Sequence, residues 1–171
     1  MPFEIDRSLY ARMYGPTTGD RVRLGDTNLL VEVERDVASP GDETLWGFGK
    51  TIRDAMQMTG RTGRDSELDL IIGGALILDP VLGIFKANIG IKEGRIVAIG
   101  RAGNPDIADD ISVVSGANTG WIMAEGLIAT PGIVDCHVHL ATTSLIPAAL
   151  SAGTTTVVGM GYGHVSDLGV N

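Results

Sequence analysis

The chain has 171 residues, 44% of them hydrophobic and 20% charged, and a net charge of −8. That length suits one full domain and part of a second, and the composition is that of a globular protein. The acidic balance excludes a nucleic-acid partner bound through a basic face, the longest apolar runs are too short to cross a bilayer, and the single cysteine excludes an internal disulfide.

Glycine, at 24 residues, is about twice its usual share and implies many tight turns. The opening Met1–Arg7 lacks the basic start and apolar core of a secretion signal, so the expected location is cytoplasmic. Residues 4–15 read as a short helix, with Ile5, Leu9 and Met13 at every fourth position and Gly15-Pro16 as its end. Val22 and Leu24 alternate with Arg21 and Arg23, which predicts a strand, and residues 29–34 alternate in the same way. Residues 36–67 are polar and turn-rich. Within them Ser39-Pro40-Gly41-Asp42 is a loop, Trp46 and Phe48 are candidates to cover a core edge or a partner surface, and Arg53, Arg61 and Arg64 read as solvated.

The middle of the chain is strongly β. Residues 68–72 predict a strand closed by Gly73-Gly74, and Ala75–Leu78 a second one ending at Asp79-Pro80. Residues 86–91 lead through the hairpin turn Lys92-Glu93-Gly94-Arg95 into Ile96–Gly100. Residues 121–124 form a further short strand. Gly73-Gly74 is a poor phosphate loop, because no helix start follows it at the right spacing. After residue 139 the pattern changes. Ser144–Gly153 reads as a helix with Ser144 as N-cap, and Thr154–Met160 as a strand. Strand, helix and strand with short links make a βαβ unit and imply a parallel pair.

The chemistry lies in Thr130-Pro131-Gly132-Ile133-Val134-Asp135-Cys136-His137-Val138-His139. In a strand, residues i and i+2 point to the same face, about 6.5–7 Å apart along the chain. His137 and His139 are therefore candidate metal ligands on one face, which Asp135 shares. Cys136 falls on the opposite face, where buried packing is expected. The competing reading is two strand histidines hydrogen-bonded to their neighbours, and two histidines fall short of a coordination shell of four or more ligands. His164 reads as a solvent-exposed loop histidine.

A β-rich amino-terminal part followed by Pro131-Gly132-Ile133-Val134-Asp135-Cys136-His137-Val138-His139 resembles the amidohydrolase superfamily. Residues 10–27, Tyr-Ala-Arg-Met-Tyr-Gly-Pro-Thr-Thr-Gly-Asp-Arg-Val-Arg-Leu-Gly-Asp-Thr, closely resemble the opening of the urease alpha (catalytic) subunit family. Residues 31–36, 49–54, 68–72, 88–100 and 103–105 continue the likeness. The chain departs from the family pattern at Ile133, where a second glycine is usual, at Ala55, and after His139.

The resemblance implies a mainly β domain over residues 1–128, of the amidohydrolase composite β-sandwich type. Residues 129–171 would be the first βαβ unit of a TIM-like α/β barrel that is incomplete here. It implies hydrolysis of urea to ammonia and carbamate at two nickel ions, with His137 and His139 as ligands of one. The bridging carbamylated lysine, two further histidines and an aspartate would lie beyond Asn171, so the chain alone is expected to be inactive. Implied partners are urease beta and gamma subunits and urease accessory proteins, in an assembly built on a homotrimer. Alternatives are another amidohydrolase, of dihydroorotase-like or imidazolonepropionase-like kind, or a non-catalytic subunit-interaction module.

Overall fold

The computed structural model describes residues 4–38, 40–41, 58–61, 67–139 and 143–159. Trp46, Phe48, Arg53, Arg64 and His164 lie outside the described residues. The chain divides into two compact units, Met1–Ala129 and Thr130–Asn171. The fold is mainly β, and no described helix is long and apolar enough to cross a membrane.

The first unit begins with helix α1, Arg7–Tyr14. The Asp6 carboxylate caps it by accepting the main-chain N–H groups of Ser8 and Leu9, and Gly15 ends it at φ 80°. The helix forms where the sequence predicts it, but the expected stripe is not the buried one. Leu9 and Met13 stay half exposed, whereas Tyr10 is buried and its ring lies 5.0 Å from that of Tyr14. The aromatic pair presents more apolar area than Leu9 and Met13, and that face turns inward.

Strands β1 (Arg21–Arg23) and β2 (Leu30–Glu32) pair antiparallel with Val22 opposite Val31. The chain then buries Val33 and forms β3, Arg35–Asp36, at the start of the stretch whose sequence reads as polar and turn-rich. The other strands of this unit are β4 (Leu70–Asp79), β5 (Gly83–Lys92), β6 (Arg95–Gly103), β7 (Ile111–Val114), β8 (Gly120–Met123) and β9 (Ile128–Ala129). They form one seven-stranded sheet with the path β7-β6-β5-β4-β8. β3 adds to β5 and β9 to β4. The β5–β6 hairpin turns at Glu93 (φ 48°) and Gly94 (φ 72°), the two left-handed positions of a type I′ turn.

Gly73 and Gly74 do not separate two strands, as their sequence suggests. They form a bulge inside the single strand β4, where the register with β5 slips between Ile72 and Ala75. Gly74 takes φ +70°, and the Asn88 side-chain oxygen accepts its N–H at 3.0 Å. The extra residue inverts the alternation. Ile72, Ala75 and Ile77 share one cluster with Phe85, Ala87 and Ile89, while Ile71 packs with Ala102 and Val113 in another.

The residues of β5 that alternate with that apolar row include Lys86 and Asn88, both buried. Lys86 Nζ lies 2.6 Å from Asp36 Oδ2, with both side chains about 5% exposed or less. The ammonium also donates to the Tyr14 carbonyl at 3.1 Å and lies 5.6 Å above the Tyr10 ring. Asp36 accepts the Thr17 hydroxyl at 3.0 Å and the Ala38 N–H at 3.0 Å. Segment 58–61 joins the unit through Thr59, whose N–H donates to the Ser115 carbonyl and whose hydroxyl donates to Asp106. Arg61 is exposed, as its sequence suggests, and also pairs with Asp106.

Removing one member of the Lys86–Asp36 pair leaves a buried charge uncompensated, at a cost of about 3–5 kcal/mol. Asp36→Ala and Lys86→Ala should each lower the unfolding free energy by that order in urea titrations. The double substitution Asp36→Leu with Lys86→Met should lose less than the sum of the two single losses.

The Asp20 carboxylate responds to acid. Burial raises its pKa, but hydrogen bonds from the Thr17 N–H and the Arg7 guanidinium, with the charges of Arg7 and Lys86, outweigh burial and hold it below the usual carboxylate range. A depressed folded-state pKa gives stability that is fully present above the unfolded value of about 4 and is lost as pH falls through the folded one. Asp20→Asn should therefore flatten the fall of thermal stability below about pH 4, and an unchanged slope would refute the assignment.

Candidate metal centre

The second unit holds strand β10 (Ile133–Val138), helix α2 (Leu145–Ser151) and strand β11 (Thr154–Gly159). Ile133, Val134 and Val138 in β10 and the Thr154–Val158 run in β11 are β-branched and favour extended backbone. The two strands pair in parallel, as the strand–helix–strand pattern requires. Gly153, at φ 88°, turns the chain from helix to strand and its carbonyl accepts the Ile133 N–H at 2.9 Å. Ser144 stands at the N-cap position of α2 in helical conformation and makes no side-chain capping hydrogen bond, contrary to the role its sequence position suggests.

His137 is exposed near the end of β10, and His139 lies half-buried just after it. Their ring centroids are 5.3 Å apart and the rings meet edge to face at 77°. The two imidazoles are thus neighbours. Asp135 is engaged differently: its Oδ1 accepts the His137 main-chain N–H at 3.1 Å. Asp135 also lines a groove under α2 with Val138, Leu145, Ala149 and Val157. The ladder slips between Asp135 and Val138, so strict alternation does not carry Asp135 onto the face of the histidines.

Cys136 is exposed, and this corrects the expectation of a packed thiol. Val134, two residues earlier in the strand, is also 61% exposed, so this part of β10 is open among the described residues. Among the described residues, no group of three or more His, Cys, Asp or Glu side chains is placed to hold a metal ion. The donor set is a pair of imidazoles, a ligand type that suits nickel, copper, iron and zinc, and it fills part of a coordination shell.

The first unit has a concavity lined by Tyr14, Asp36, Gly74, Lys86, Asn88 and Glu125. Sequence reading misses the role of Lys86 there. The available signal was its place inside the apolar strand run Ile84-Phe85-Lys86-Ala87, where a lysine needs a partner.

The family profile described as "Urease alpha-subunit, N-terminal domain" matches residues 3–122. "Urease subunit alpha 2" of Streptomyces coelicolor is 48% identical over 167 residues, covering 98% of this chain and 30% of the relative. "Urease subunit alpha" of Haloarcula marismortui is 50% identical over 164 residues, or 95% and 29% of the two chains. "Urease subunit alpha" of Clostridium perfringens is 50% identical over 166 residues, or 95% and 28%. The chain thus spans about three-tenths of the length of the curated relatives it matches.

The exposure of Cys136 has a direct readout. The native chain should react with Ellman's reagent to one thiol per chain without denaturant, and Val134→Ser should leave that stoichiometry intact. A thiol that reacts only after unfolding would place it in a packed interior.

Proposed function

The chain belongs to the urease alpha-subunit family, corresponding to its N-terminal part, and we propose that it forms that part of a nickel-dependent enzyme hydrolysing urea to ammonia and carbamate. The observation that carries this reading is the adjacent imidazole pair of His137 and His139 at the end of β10, in a chain of this family. In this reading residues 1–128 are the composite β domain of the amidohydrolase fold. Residues 129–171 open the metal-binding barrel, with β10, α2 and β11 as its first strand–helix–strand unit.

His137 and His139 are the ligands that this chain contributes to one of two nickel ions. The chain has three histidines in all, so the family's complete donor set needs other parts of the whole protein. Bound nickel would supply Lewis-acid polarisation of the urea carbonyl. The contribution of this chain is to hold two imidazoles side by side on a strand end. Partners in this reading are urease beta and gamma subunits and urease accessory proteins, in a trimer-based cytoplasmic assembly; family membership supports this.

Nickel titration of the 171-residue chain, followed by the imidazole resonances in NMR, tests the assignment. Both rings should broaden together, and His137→Ala with His139→Ala should abolish the effect. The same purified chain should release no ammonia from urea. Nickel binding that survives removal of both histidines would sink the ligand assignment, and ammonia release would sink the need for further donors.

A further inference from the structure

The pairing of β10 with β11 is irregular in the segment that carries the histidines. Asp135 pairs with Val157 and Val138 with Gly159, so three steps along β10 match two along β11. The extra residue is a bulge, a device that re-aims side chains beside functional sites. Inside it, the His137 N–H donates to Asp135 Oδ1 at 3.1 Å. Burial follows the slip. Asp135 and Val138, three residues apart, are half-buried, and Cys136 and His137 between them are exposed.

We propose that Asp135 is a positioning residue for the histidine pair: by accepting the His137 main-chain N–H it holds the bulge, and the bulge sets the direction in which His137 and His139 present their rings. A carboxylate acceptor gives a charge-assisted bond, stronger than a neutral one. The consequence for nickel rests on the metal reading above, whereas the positioning itself does not.

The test uses the full 171-residue chain as wild type, Asp135→Asn and Asp135→Ala. Asparagine keeps the acceptor oxygen and alanine removes it. In NMR, wild type and D135N should share a ring-to-ring Overhauser effect between His137 and His139 and a slowly exchanging His137 amide. D135A should lose both while the resonances of residues 67–129 stay in place. Nickel affinity should then fall about 10–100-fold in D135A and by less than about threefold in D135N. A D135A chain that keeps the ring contact and the protected amide overturns the proposal. So does an affinity loss in D135N as large as in D135A, because that assigns Asp135 to the metal directly. If D135A unfolds β10 and β11, D135N decides alone: loss of the ring contact there overturns the proposal and its persistence supports it. Expected NMR changes with a nickel affinity that ignores both histidines would support positioning and sink the metal reading.

Discussion

The first unit depends on the buried contact between Lys86 and Asp36. A lysine and an aspartate with almost no solvent exposure, 2.6 Å apart, are stable only if their remaining hydrogen-bonding capacity is also met. Here it is met from three directions. The Tyr14 carbonyl at the end of α1 accepts from the ammonium, the Thr17 hydroxyl donates to the carboxylate, and the Ala38 N–H after β3 does the same. The Asp36 N–H donates in turn to the Thr18 hydroxyl oxygen. One charge pair therefore ties the helix, the turn after it and the short strand β3 to the middle of the sheet. Elements as short as an eight-residue helix and a two-residue strand have little stability of their own, so tertiary contacts must hold them.

That network explains why the amino-terminal third is harder to read than the middle. The β5–β6 hairpin is legible because its information is local: alternating strands flank Glu93-Gly94, which supply the two left-handed turn positions. The end of α1 at Gly15 is legible for the same reason. β3 is not, since Arg35-Asp36 has no strand propensity and forms because Asp36 finds Lys86, fifty positions away in the chain. β7 shows the same dependence, with its pairing to β6 fixed by the register at Arg101, Ala102 and Gly103. A two-residue glycine run inside β4 also misleads. Its meaning as a bulge depends on Asn88 from the neighbouring strand, which accepts the freed Gly74 N–H.

The closeness of the two imidazoles was legible and their surroundings were not. Spacing alone brings His137 and His139 together, and their rings are in contact. The same period-two argument places Asp135 with them and Cys136 in a packed interior. The first fails because the ladder slips by one residue between Asp135 and Val138, and a slip in register is invisible in a single strand's pattern. The second fails because alternation gives a face and not what covers it. Among the described residues Val134 and Cys136 are both exposed.

The two units therefore support their key side chains in different ways. Lys86 is locked by partners from several elements, so loss of one contact leaves others in place. His137 stands near the end of a strand paired on one side only among the described residues, with His139 just after it, and the His137 main-chain N–H is held by Asp135. A two-stranded parallel ladder under a seven-residue helix is marginal by itself, and Ile146 and Leu150 of that helix remain more than half exposed. Precision at the histidines must then come from short-range geometry. A bulge held by a carboxylate two residues away supplies part of it within the same strand, through the Asp135 oxygen that accepts the His137 N–H.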